Sequence, residues 1–169
     1  MRGRLLLGAF VLGLVAVGAA AAAFNGKWSD HLSGGQEVPA NASQGQGQAI
    51  FRLSDNGLSL EYKVIASNID NIVQSHIHLA GAGVNGPIVA FLYGPVAAGG
   101  GRHDGVLATG TITAANLIGP LAGHPLSDLV AAMRADGTYV NVHTNDGDPA
   151  TPPGPGDLAP GEIRAQIIE

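Results

Sequence analysis

The sequence predicts an all-β domain: a Greek-key sandwich or barrel of about seven or eight antiparallel strands with one short helix. Three observations point there. Short β-prone runs recur along the chain and are broken by Gly, Pro, Asn and Asp. Leu58, Leu60, Tyr62 and Val64 alternate with Ser59, Glu61 and Lys63, the pattern of a strand with one face buried and one wet. Ahead of that run, Asp55-Asn56-Gly57 reads as a hairpin turn, because Asn and Gly tolerate positive φ.

The elements follow in order. Arg2 and Arg4 form a basic start, Leu5 to Val17 is apolar, and Ala19 to Ala23 is a small-residue stretch ahead of Phe24. That is the pattern of a signal peptide over 1–23, cleaved near Ala23, with a domain over 24–169; the alternative is a retained membrane anchor. Candidate strands lie at 46–54, 58–66, 72–79, 87–93, 106–113, 138–144 and 162–168, with a weaker one near 27–33. One helix interrupts them. Ser127 is its expected N-cap, Asp128 complements its N-terminus, and Gly137 is expected to end it in a left-handed turn. Leu129, Val130, Ala132 and Met133 give it an apolar side, which is expected to plug one end of the sandwich. The stretch 145–161, dense in Pro and Gly, reads as a loop. Asn41-Ala42-Ser43 is a formal glycosylation sequon.

Composition narrows the function classes. Cysteine is absent from the 169 residues, which excludes disulfides, thiolate metal sites, iron–sulfur clusters and a cysteine nucleophile. Only 12% of residues are charged, against ~25% in a typical soluble domain. The net charge is −5 and the pI about 5.6, and loss of Arg2 and Arg4 with the leader makes the remainder more acidic still. No basic field exists to hold nucleic acid, so none is expected as a partner. After cleavage no membrane association is expected either. The product would be a secreted, periplasmic or cell-surface domain, stabilised by its core alone.

The residues that could carry chemistry fall on three late runs. In a strand, positions two apart share a face. Gln74, His76 and His78 therefore face one way, with Val73, Ser75, Ile77 and Leu79 behind them. Tyr139, Asn141 and His143 likewise oppose Val140 and Val142, and Glu162, Arg164 and Gln166 share a polar side. If these stripes meet, they build a pocket of His76, His78 and His143 with Arg164 and Glu162 nearby. Three imidazoles suit copper or zinc. His103 and His31 are candidate further ligands; Arg164, Glu162, Asn141 and Gln74 are candidates to orient the ligands or guide an anion. The plainer alternative is a set of hydrogen-bonding His on a half-buried sheet. Other motifs are weaker. Asn145-Asp146-Gly147-Asp148 lacks the spaced acids and distal Glu of a calcium loop. Gly81-Ala82-Gly83 and Gly99-Gly100-Gly101 lack the Lys-Ser/Thr of a phosphate loop. No G-x-S-x-G frames a serine nucleophile, so no catalytic residue is assigned.

Four motifs, in order, resemble the CHRD (chordin-type) domain family. They are Leu32-Ser33-Gly34-Gly35-Gln36-Glu37-Val38-Pro39; Ser75-His76-Ile77-His78-Leu79 leading into the run from Gly81 to Tyr93; Gly137 to Thr144; and Pro160 to Ile167. In chordin the domain is repeated inside a secreted antagonist of bone morphogenetic proteins, and bacterial members are usually secreted single domains. The resemblance implies an exported, non-enzymatic module for a protein or matrix partner. A more distant likeness is to copper–zinc superoxide dismutases, Greek-key barrels in which an H-x-H pair, a later His and a C-terminal Arg serve the copper. The matching positions are His76, His78, His143 and Arg164. The chain departs from that family in having no cysteine and no His-rich zinc loop, with only His103 near where one would lie. Two alternatives to the binding module follow: a superoxide-dismutase-like copper protein with redox activity, and a structural envelope or surface protein without a ligand.

Overall fold

A computed structural model describes residues 26–150 and 152–169, so the leader expected over 1–23 lies outside the described residues. Eight strands make one antiparallel sheet: β1 (Lys27–Ser33), β2 (Gln46–Leu53), β3 (Leu60–Asp70), β4 (Ile72–Leu79), β5 (Ile88–Tyr93), β6 (Arg102–Ile112), β7 (Thr138–Thr144) and β8 (Ile163–Gln166). Their spatial order is β5-β4-β7-β8-β1-β2-β3-β6. The two end strands, β5 and β6, lie beside each other, and Tyr62 on β3 donates its hydroxyl to the Leu92 carbonyl on β5 at 2.9 Å. The sheet therefore curls into a nearly closed barrel. The all-β expectation holds.

The strand bounds differ from the sequence expectation where glycine and loop residues join the ladder. β3 runs on to Asp70 and β6 begins at Arg102, with register shifts in the β3–β6 pairing. β3 and β4 are one residue apart in sequence yet on different sides of the sheet. Asn71, in the left-handed region at φ 55, makes that corner. Its backbone N–H donates to Gly101, its carbonyl accepts from Asn145, and its side chain bonds Gly156 and Gly101. One short polar side chain thus replaces a longer connection.

The barrel interior is apolar. Trp28, Leu32, Phe51, Val64, Ile77, Val140, Val142 and Ile163 belong to one buried cluster. The helix α1 (Leu126–Arg134) adds Leu126, Leu129, Val130 and Met133 to it. It is separated from the β2–β3 hairpin by a groove lined by Leu53, Leu58, Val130 and Ala131. Its caps differ from expectation. Pro125 is the N-cap and Ser127 lies within the first turn. At the other end the left-handed residue is Asp136, at φ 52, and the Gly137 N–H closes the turn on the Ala132 carbonyl. Among the described residues no helix is long and apolar enough to cross a membrane.

Candidate metal centre

Sheet order brings the polar stripes together. β7 lies between β4 and β8, with Gln74 opposite His143, His76 opposite Asn141 and His78 opposite Tyr139. On its other side β7 sets Asn141 opposite Arg164 and Tyr139 opposite Gln166. Ile77, Val140 and Val142 point into the core, so His76, His78, Asn141 and His143 occupy the opposite face of the same strands. That face is covered rather than wet: His76 is 0% exposed, His78 7% and His143 6%. One ring nitrogen from each of the three lies within 4.8 Å of the other two.

Backbone carbonyls fix two of the rings. His78 Nδ1 donates to the Gly86 carbonyl at 2.9 Å and His143 Nδ1 to the Ala159 carbonyl at 2.8 Å. A neutral imidazole carries one proton, so each presents an unprotonated Nε2. Nε2 of His78 is buried with no well-formed hydrogen bond, the Asn141 side chain being near its ring, and Nε2 of His76 is buried with none. Nδ1 of His76 lies 3.2 Å from Nε2 of His143. Burial holds all three rings neutral. His76 is pushed down to about 3 by burial and by His143 and His78 beside it. His78 and His143 are lowered first by burial. Three neutral imidazoles with ring nitrogens this close together, two of the rings each with an unpartnered nitrogen, are a donor set that copper and zinc take.

The residues over the site match a CHRD-domain family model across residues 28–150. The chain belongs to the CHRD-domain family. No curated protein and no solved structure matches it. The matched span of the CHRD domain contains His76, His78, Asn141 and His143, while Glu162 and Arg164 lie beyond it.

Arg164 is 1% exposed and braces the cover of the site. Its guanidinium donates to the Val84 carbonyl at 2.9 Å, to the Asn85 amide oxygen at 3.1 Å and to the Gly81 carbonyl at 3.4 Å. It also lies over the Tyr139 ring, whose hydroxyl accepts from the Gly86 N–H. Glu162 faces away from the imidazoles. Its carboxylate accepts from Ser43 Oγ, Thr144 Oγ1 and the Gly156 N–H, which ties the Pro-rich loop to the barrel. Asn41 of the sequon is consumed in the same way, donating to the Gly161 and Glu162 carbonyls. Gln74 stands opposite His143.

Two expected ligands do not reach the cluster. His103 lies on β6 opposite Ile69, with Nε2 3.3 Å from the Gly105 carbonyl. Among the described residues the close cluster holds His76, His78 and His143 without it. His31 is on β1 and bonds Gln46. One residue escaped the sequence reading. Glu37 is 7% exposed, its Oε1 has no partner, and burial pushes it up to about 7 against the pull of Arg164. It follows a short 3-10 turn (Gly34–Gln36), where no periodicity marks it; only its place in the opening family motif could have drawn attention to it.

Proposed function

We propose that this CHRD-domain protein is an exported, non-enzymatic binding module that holds one copper or zinc ion at His76, His78 and His143. The observation that carries the reading is the convergence of three neutral, buried imidazoles with two tautomers fixed by the Gly86 and Ala159 carbonyls. A hydrogen-bonding role for these rings leaves Nε2 of His78 without a hydrogen bond; an ion supplies its partner, with the rings already arranged. Export follows from the leader pattern over 1–23. A protein or matrix partner remains the expectation for the exposed loops. The engagement of Arg164 with three loop acceptors favours binding over redox turnover, because a guiding cation for a small anion needs free donors.

Elemental analysis of the purified protein, after dialysis against copper and zinc separately, tests the reading. One ion per chain is expected, and His78→Ala should abolish it while the circular dichroism stays native. Wild-type protein that retains neither metal would remove the proposal.

A further inference from the structure

We propose that the side-chain carbonyl of Asn141 is a fourth protein ligand to the ion held by the three imidazoles, giving an N3O set that favours Cu(II) over Zn(II). The inference rests on the metal reading above and names the specificity of that same site.

Asn141 is 2% exposed and stands two residues before His143 on the same face of β7. Its Oδ1 lies 2.9 Å from His143 Nε2. His143 places its proton on Nδ1, where Ala159 accepts it, so Nε2 carries a lone pair. An amide oxygen also carries only lone pairs. Two acceptors therefore face each other in a buried place, and Nδ1 of His76 approaches the same Nε2 at 3.2 Å. A cation among these atoms converts repulsion into ligation.

The other end of the amide lies on the Gly161 side. A Cβ on Gly161 would sit 2.9 Å from Asn141 Nδ2 and 2.5 Å from Glu37 Oε1. The NH2 group thus turns toward Gly161 and the buried carboxyl of Glu37, leaving the oxygen for the imidazoles. The distances also speak to geometry. Two donors about 2.0–2.1 Å from one ion stand about 2.9 Å apart at a right angle and about 3.3 Å apart at the tetrahedral angle. The oxygen-to-nitrogen separation of 2.9 Å corresponds to the right angle, whereas the 3.2 Å between His76 Nδ1 and His143 Nε2 lies nearer the tetrahedral one, so it is the amide oxygen that supplies the right angle. Tetragonal N,O coordination is the preference of Cu(II), whereas zinc prefers the tetrahedron.

The test is Cu(II) loading of wild type, Asn141→Leu and Asn141→Asp, read by electron paramagnetic resonance in ordinary and ¹⁷O-enriched water. In wild type the protein oxygen excludes solvent from that position, so ¹⁷O broadening is expected only in Asn141→Leu. The ratio of Cu(II) to Zn(II) affinity should fall at least about tenfold in that variant, the lower bound set by losses of outer-sphere partners. Asn141→Asp should stay unbroadened and bind Cu(II) more tightly than wild type. Equal broadening in wild type and Asn141→Leu would overturn the assignment. If Asn141→Leu does not fold, an Asn141→Asp protein with wild-type spectrum and affinity overturns it instead. Wild type that binds no ion defeats the metal reading itself, a distinct result.

Discussion

The guanidinium carbon of Arg164 lies 3.4 Å from the ring centroid of Tyr139. Tyr139 in turn stacks on His78, with centroids 4.6 Å apart and planes 7° from parallel. The column crosses β8, β7 and β4. Arg164 holds Gly81, Val84 and Asn85, Tyr139 holds the Gly86 N–H, and the Gly86 carbonyl sets the His78 tautomer. A residue outside the imidazole cluster therefore positions one of its members through a loop.

Arg164→Met should expose that dependence. It keeps the stem but leaves three loop acceptors and the Tyr139 face without the cation. Urea unfolding should show a loss of about 2–4 kcal/mol, in the range of a broken buried network of charged hydrogen bonds. Metal affinity should fall about 10–100-fold, as for other lost orienting partners. Tyr139→Phe should cost less, about 1–2 kcal/mol, since it orphans only the Gly86 N–H.

Glu162→Gln should release the Pro-rich loop. The carboxylate accepts from three donors; a carboxamide turns its own NH2 toward at least one of them. A loss of about 1–3 kcal/mol is expected. Limited proteolysis should cut more readily between Asn145 and Pro160, and equal cutting in both proteins would show that another contact anchors the loop.

Gly161→Ala should disturb the site from the second side. Gly161 sits at φ 140, a region L side chains rarely enter, and its new methyl would press on Glu37 Oε1 and Asn141 Nδ2. Lower stability and weaker ion retention are both expected. Isothermal titration with each metal reads the second effect separately from the first.

The metal-free protein should show opposed pH dependences. His76 falls from 6.5 to about 3 in the folded state. Its contribution is present above pH 6.5 and is lost as pH falls toward 3, because the unfolded chain takes up the proton first. Glu37 runs the other way, rising from 4.5 to about 7. Its contribution is full below pH 4.5 and is lost as pH climbs through 7. His76→Gln should flatten the acid limb of the stability curve. Glu37→Gln should flatten the neutral limb and raise stability above pH 7 relative to wild type. Denaturant midpoints from pH 3.5 to 8 check both, and a Glu37→Gln curve parallel to wild type would contradict the second.

Much of this site was legible along single strands. The two-residue repeat sorts His76 and His78 from Ile77, and Asn141 and His143 from Val142, because pleating fixes which side chains share a face. The same repeat says nothing about which strands are neighbours. His103 has the right chemistry and the wrong strand. Glu37 follows a turn without periodicity, so neither its burial nor its closeness to Arg164 and Asn141 leaves a trace in its local sequence.

The amino-acid order by itself determined the strand-forming runs, the apolar stripe inside the barrel, the helix and the lack of any thiol chemistry, since all of these follow from local stereochemistry and composition. Tertiary structure decided that β7 would stand between β4 and β8, and that the loop carbonyls of Gly86 and Ala159 would reach His78 and His143 on the polar face. Long-range pairing of that kind depends on how a whole sheet closes on its core, and only that closure brings three imidazoles, an amide and a buried carboxyl into one neighbourhood.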